Sequence, residues 1–136
     1  MIQGLSHVVI ASNDVSRIAE FFAGAFELKP HFSNPEFCEF VLPNKGRIAF
    51  FKATGKAAKF FKATTTREHI GVGLTVKDVQ ATYSVCRAME KSFGLTFSGE
   101  PKDHPWGEKS FLLIDFEGNR WEITQSPSKD GFLVNI

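Results

Sequence analysis

The segment Leu5-Ser6-His7-Val8-Val9-Ile10, which leads into Asn13-Asp14-Val15, has a counterpart later in the chain. Glu68-His69-Ile70-Gly71-Val72 leads in the same way into Lys77-Asp78-Val79. Each copy opens with a histidine in an apolar, strand-like run and then reaches an aspartate at the start of a helix-like stretch. This repeat predicts two half-domains of the same design.

Hydrophobic periodicity extends each copy into a β-α-β-β-β unit. The first half is predicted to hold a strand at 7–11, a helix at 14–27 and strands at 29–33, 36–42 and 46–52. The second half is predicted to hold a strand at 69–76, a helix at 78–92 and strands at 95–99, 109–115 and 119–125.

The predicted fold class is therefore α+β, with two tandem βαβββ modules in a single domain of residues 1–136. The modules are predicted at 1–53 and 68–126, joined by a polar linker at 54–67 and followed by a C-terminal tail at 127–136.

Composition and charge indicate an ordinary globular protein. Hydrophobic residues make up 43% and charged residues 23%, with a net charge of +1, which favours neither nucleic acid nor an anionic membrane as a partner. No run approaches the roughly 20 apolar residues of a membrane span, and the first residues do not resemble a signal peptide. Two cysteines are too few for a disulfide framework, so we expect free thiols and a cytoplasmic location.

The two repeated histidines are predicted to face the same side of their strands. His7 precedes Asp14 by seven residues and His69 precedes Asp78 by nine. Because strand side chains alternate with a period of two, this difference leaves both imidazoles on equivalent faces.

The last strand of the second half adds a carboxylate. Glu122 lies four residues after Gly118, and Phe50 lies four residues after Gly46, so Phe50 is predicted to occupy the equivalent slot. If each half gives its first and last strands to a shared cavity, the inward positions are His7, Phe50, His69 and Glu122.

Three of these four side chains can bind a metal ion. Two imidazoles and a carboxylate suit Zn, Fe(II), Mn(II), Ni(II) or Co(II) and leave coordination positions open for catalysis. A carboxylate buried beside Trp121 and Ile123 would also need a partner such as a metal. The fifteen phenylalanines are also compatible with a second hypothesis, in which aromatic rings bind a ligand without metal.

These segments resemble the vicinal oxygen chelate superfamily, which includes glyoxalase I, extradiol dioxygenases, fosfomycin-resistance thiol transferases, methylmalonyl-CoA epimerase and metal-free bleomycin-binding proteins. Two further stretches carry the resemblance: Trp106-Gly107-Glu108-Lys109-Ser110-Phe111 and Asp115-Phe116-Glu117-Gly118-Asn119-Arg120-Trp121-Glu122. The resemblance implies a U-shaped mixed sheet around a cavity, usually in a homodimer, with metal ligands at His7, His69 and Glu122.

The chain departs from the family's pattern at two positions. Phe50 stands where glyoxalase I enzymes typically supply a fourth, carboxylate ligand. Val9 stands where a fosfomycin transferase is expected to have a hydroxyl residue. The reaction, whether of lyase, isomerase, dioxygenase or thiol-transferase type, therefore stays open, and no catalytic base is identified.

The expected function is that of a divalent-metal enzyme acting on a small, oxygen-chelating substrate. The alternative is a metal-free small-molecule or drug-binding protein that confers resistance by sequestration. The residues predicted to line the substrate pocket are Phe50, Val9, Phe40, Trp106, Phe111 and His104. The expected partners are the small ligand and a second copy of the chain.

Overall fold

The computed structural model describes residues 1–64, 67–68 and 70–125. The chain divides into two compact units, Met1–Ala63 and Thr64–Ile136. None of the helices in these described ranges has the length and hydropathy needed to cross a membrane.

The first unit is a four-stranded mixed sheet with one helix. Its elements are β1 (His7–Ala11), α1 (Val15–Phe26), β2 (Phe32–Asn34), β3 (Phe37–Val41) and β4 (Arg47–Phe51). The strand order is β1-β4-β3-β2; β1 runs parallel to β4 and the other pairs are antiparallel. A short 3-10 helix, Gly55–Lys59, follows within the predicted linker.

Helix α1 forms because the sequence provides a capping aspartate at its start and apolar residues at helical spacing along one face. The Asp14 side chain accepts a hydrogen bond from the Arg17 backbone N–H and caps the first turn. The helix buries one face, formed by Val15, Ile18, Ala19, Phe21, Phe22 and Ala25. The Phe22 ring lies 4.9 Å from Phe40 and 5.5 Å from Phe50, so aromatic packing joins α1 to β3 and β4.

The second unit repeats this order with one more strand. Its elements are β5 (Gly71–Thr75), α2 (Val79–Ala88), α3 (Glu90–Phe93), β6 (Thr96–Phe97), β7 (Lys102–Asp103), β8 (Lys109–Ile114) and β9 (Arg120–Gln125). The strand order is β5-β9-β8-β6, with β7 also paired to β8. Strand β5 runs parallel to β9, as β1 does to β4.

The predicted α+β class with two βαβββ modules is confirmed, and the differences are local. The second predicted helix is interrupted at Met89, whose N–H bonds to the Cys86 carbonyl at 3.0 Å and tightens the turn before α3 begins. The predicted loop between β6 and β8 contains the two-residue strand β7. The predicted single domain, linker and tail stay predictions, and the tail lies outside the described residues.

Candidate functional site

Glu122 lies on the face of β9 that points away from helix α2. Its neighbours Trp121 and Ile123 are fully buried, whereas the Glu122 side chain is exposed. Within the described residues the Glu122 carboxylate has no ion-pair partner. The expectation that this carboxylate is buried was therefore wrong: strand alternation turns it outward, and no burial cost requires a metal there.

Glu122 borders a cavity of about 320 Å³ in the second unit. The cavity is lined by Ser98, Gly99, Glu100, Lys102, His104, Ser110, Phe111, Leu112 and Glu122. Leu112 is the register partner of Glu122, and Ser110 is two residues away on the same face. The usual spacing of diagonal neighbours places Ser110 and Glu122 about 7 Å apart. A small polar molecule beside Glu122 would therefore be within reach of the Ser110 hydroxyl.

His104 is held at this cavity by two contacts. Its Nε2 lies 2.6 Å from Ser110 Oγ, and its ring stacks on Trp106 with centroids 4.5 Å apart and an interplanar angle of 3°. The Trp106 indole donates a 2.6 Å hydrogen bond to Glu108 Oε1. These contacts fix the imidazole orientation, as a group that must meet a ligand requires.

The sequence analysis identified His104 as a pocket residue but not its hydrogen-bond partner Ser110. Ser110, Lys102 and Leu112 line the cavity, and none was singled out from the sequence. Strand alternation would have placed Ser110 and Leu112 on one face. Their pairing with β9, however, becomes visible only once the register is known.

The predicted pocket phenylalanines lie in the cores of the two units. Phe40 and Phe50 are fully buried against Phe22 of α1. The Phe111 ring packs edge-on to Tyr83 at 5.1 Å and is 3% exposed, although the residue borders the cavity. Their side chains are therefore packed in the cores. Val9, another predicted pocket residue, is 40% exposed on β1 and lies on the same face of the strand as His7.

The predicted equivalence of Phe50 and Glu122 is wrong by one residue. Ile48 and Phe50 are both buried, as Trp121 and Ile123 are, and Ala49 lies between them as Glu122 lies between its neighbours. The reason is turn length: β4 begins directly after Gly46, whereas Asn119 separates Gly118 from β9. Ala49 therefore occupies the slot that corresponds to Glu122.

His7 is exposed at the start of β1 and belongs to a polar network on the face opposite α1. Its Nδ1 lies 2.8 Å from Ser6 Oγ and 3.3 Å from Arg47 Nη2. Arg47 Nη1 lies 3.6 Å from Glu39 Oε2, and the other Glu39 oxygen lies 4.0 Å from His31 Nε2. This network was not foreseen, since it depends on the register that pairs His7 with Arg47.

His7 and Glu122, each considered within its own unit, carry donor atoms that suit a metal ion. If His7 Nδ1 donates its hydrogen to Ser6 Oγ, the Nε2 lone pair is available to a metal. The exposed Glu122 carboxylate, with no partner in the described residues, is a suitable oxygen ligand. Within the described part of the chain no three such side chains form a metal-binding group. His69 lies outside that part, so the predicted triad stays a prediction.

Comparisons with known proteins agree with this architecture. The sequence model of the Glyoxalase/Bleomycin resistance protein/Dioxygenase superfamily matches residues 4–123. No curated protein matches the sequence significantly.

Solved structures share the fold at low sequence identity. A glyoxalase-related enzyme from Fulvimarina pelagi is 19% identical, with a TM-score of 0.77 over 98% of this chain and 99% of its own. The fosfomycin resistance protein FosX from Listeria monocytogenes, solved with Mn(II) and sulfate, is 16% identical, with a TM-score of 0.73 over 96% of this chain and 95% of its own. FosX from Mesorhizobium loti is 17% identical, with a TM-score of 0.66 over 96% and 98%.

Proposed function

The chain belongs to the Glyoxalase/Bleomycin resistance protein/Dioxygenase superfamily, and on that premise we propose that it is a divalent-metal enzyme. His7, His69 and Glu122 would hold the ion, and the substrate would be a small molecule with two oxygens able to chelate it. When bound, the ion would polarise a substrate oxygen or a water molecule. We further propose that the enzyme works as a homodimer in the cytoplasm.

The observation that carries this proposal is the position of Glu122 at a cavity. An exposed carboxylate without a described partner lies beside about 320 Å³ of space and opposite Leu112. The same cavity holds a fixed imidazole and a hydroxyl 2.6 Å from it. A ligand and a reacting group can therefore meet there, as catalysis needs.

Relatives with the same fold add support from outside the chain. FosX of Listeria monocytogenes was solved with Mn(II). Mn(II) accepts the nitrogen and oxygen ligands of the proposed set, so we choose Mn(II) as the first metal to test.

Residues of the cavity have assigned roles in this proposal. Ser110 would hydrogen-bond the substrate and His104 would hold the Ser110 hydroxyl in one orientation. Leu112 would contact the apolar part of the substrate, and Lys102 would offer a positive charge at the cavity rim. The type of reaction, whether lyase, isomerase, dioxygenase or thiol transferase, depends on the substrate. Enzyme assays with candidate substrates determine it.

Metal analysis of protein purified without a histidine tag tests the proposal. We expect about one Mn(II) per chain after reconstitution and dialysis, as one closed ligand set requires. His7→Ala, His69→Ala and Glu122→Ala should each lose the metal while keeping the circular dichroism spectrum of the wild-type protein.

Matched controls are the exposed His31→Ala and the exposed Glu20→Ala on α1. These variants should retain the metal. A wild-type protein that binds none of the five candidate metals, or a Glu122→Ala variant that keeps its full metal content, contradicts the proposal.

A metal-free small-molecule or drug-binding protein is the second candidate, and the Arg47 contact favours it. An arginine cannot accept a hydrogen bond, so a donor at 3.3 Å from His7 Nδ1 favours the tautomer with hydrogen on Nε2. That tautomer has no Nε2 lone pair for a metal. Tight binding of a small ligand by metal-free protein, unchanged in Glu122→Ala, would support this candidate.

A further inference from the structure

Arg47 occupies a position that the proposed function leaves unexplained. It begins β4 directly opposite His7 of the parallel strand β1. Because its neighbour Ile48 is buried on the side of α1, the Arg47 side chain points to the opposite face, where His7 lies. The positively charged Arg47 therefore lies beside His7, which is a proposed ligand of the metal cation.

The contacts of this guanidinium are long. Its distances to His7 Nδ1 and Glu39 Oε2 are 3.3 and 3.6 Å, whereas charge-assisted hydrogen bonds usually measure about 2.7–2.9 Å. These contacts involve two of the five N–H groups of an arginine. The side chain is 41% exposed. Within the described residues the guanidinium is thus poorly satisfied, and it is accessible to a ligand.

Metal binding would release one of these contacts. A metal on His7 Nε2 requires hydrogen on Nδ1, which Ser6 Oγ accepts at 2.8 Å. Arg47 then has no acceptor at His7, and two positive groups, the metal and the guanidinium, lie at opposite edges of one imidazole. An anion beside the ring that contacts both groups satisfies the freed donor and lowers the repulsion.

We propose that Arg47 binds the carboxylate of the substrate, which makes the substrate a small acid with a second oxygen on the carbon next to the carboxylate. This inference rests on the proposed metal function and names its substrate class. A carboxylate is favoured over other anions because the protein itself places one, that of Glu39, against this guanidinium. The planar carboxylate also matches the guanidinium in a two-point contact.

Two consequences follow for binding. Metal and carboxylate should each strengthen the binding of the other, because linkage is reciprocal. Glu39 should compete with the ligand for Arg47, so its removal should strengthen ligand binding.

Oxalate is a suitable probe, since it carries two adjacent carboxylates. Its affinity for Mn(II)-loaded protein is measured by calorimetry, with correction for Mn(II)–oxalate in solution. We expect Arg47→Met to lower the oxalate affinity by about thirtyfold, as for loss of a charge partner in a binding site. Arg47→Lys should keep part of the affinity, and Glu39→Gln should raise it. The Mn(II) affinity measured without oxalate should not fall in Arg47→Met.

Arg87→Met is the matched control. Arg87 lies on α2 and also pairs with a carboxylate, that of Glu90 in α3, at 3.2 Å. Hydroxyacetone, an uncharged molecule with two adjacent oxygens, controls for general damage to the site. Equal oxalate affinity in Arg47→Met and Arg87→Met overturns the inference. So does an equal loss of hydroxyacetone binding, or a failure of oxalate to bind the Mn(II)-loaded wild-type protein.

The metal proposal and this inference can fail separately. If wild-type protein binds no Mn(II), the proposed metal function fails. Oxalate is then titrated into metal-free protein. Binding that Arg47→Met abolishes retains the carboxylate site, whereas absence of binding, or binding that Arg47→Met leaves unchanged, overturns it as well.

Discussion

Asp115 is the buried side chain on which the last turn of the second unit depends. It is 3% exposed and accepts hydrogen bonds from the backbone N–H of Glu117 and Asn119, at 2.9 and 3.0 Å. Its other oxygen accepts from Asn119 Nδ2 and from the indole of Trp121, each at 2.8 Å. This one carboxylate therefore fixes the turn that leads into β9 and so the position of Glu122.

Asp115→Ala should lower the free energy of unfolding by about 3 kcal/mol, since several buried donors lose their acceptor at once. Urea unfolding followed by tryptophan fluorescence measures this, because Trp121 is fully buried. The exposed Asp103→Ala should change the stability by less than about 0.5 kcal/mol. Equal effects of the two substitutions would contradict the role of Asp115.

Burial also determines how Cys86 ionises. Removal from water raises the pKa of the Cys86 thiol from 9.0 to about 12. The thiol thus stays protonated in the folded protein at pH values where it ionises in the unfolded chain. Its contribution to stability is fully present below pH 9 and is lost as the pH rises toward 12.

We therefore expect the free energy of unfolding to fall above pH 9 by up to about 1.4 kcal/mol per pH unit from this group. Denaturant unfolding of wild-type and Cys86→Ala protein between pH 8 and about 11 isolates the contribution, since the other groups titrate in both. The decline should be shallower in the variant, and parallel curves would refute the expectation.

At the scale of elements, both long helices begin with the same device. Asp14 Oδ1 accepts from Arg17 N at 3.1 Å at the start of α1, and Asp78 Oδ1 accepts from Ala81 N at 3.0 Å at the start of α2. Capping oxygens satisfy N–H groups that no helical carbonyl reaches. The repeated aspartates are therefore explained by helix capping.

Asp14→Ala and Asp78→Ala should each lower the free energy of unfolding by about 1 kcal/mol. Asp→Asn at the same positions keeps a capping oxygen and serves as the control, with little loss of stability. Thermal unfolding measures both series. Alanine variants as stable as their asparagine counterparts would show that the caps do not contribute.

The core position of Phe50 on β4 has its own test. Phe50→Ala removes a fully buried ring packed against Phe22, and we expect a loss of about 3–5 kcal/mol. Phe60 is 82% exposed, so Phe60→Ala should leave stability nearly unchanged and is the control. If Phe50→Ala weakens ligand binding without lowering stability, Phe50 belongs to a pocket and its assignment to the core is wrong.

For the whole molecule, the proposed metal links residues far apart in the sequence. At a free Mn(II) concentration one hundred times its Kd, the free energy of unfolding should rise by about 2.7 kcal/mol. The gain should disappear with a chelator and in both His7→Ala and Glu122→Ala, as calorimetric melting can show. Stabilisation that survives in either variant would mean that Mn(II) binds elsewhere.

The repeat and the fold class could be predicted from the sequence because their signals are local. Helix caps, glycine turns and hydrophobic spacing lie within a few residues of the elements they define, so the βαβββ order and most strand positions followed directly. The same repeat drew attention to His7, His69 and Glu122 as candidate ligands. Turn length limited this reasoning. Because the turn before β9 has one more residue, Asn119, counting from the glycines pointed to Phe50 instead of Ala49 as the equivalent of Glu122.

Tertiary structure alone decided which side chains share a face of each sheet. The pairing of His7 with Arg47 and of Leu112 with Glu122 depends on strand register, which hydrogen bonds between distant segments fix. Composition suggested an aromatic pocket, yet the rings of Phe40, Phe50 and Phe111 fill the cores because burying large apolar surface stabilises the fold most. The cavity beside Glu122 is what remains accessible after that packing.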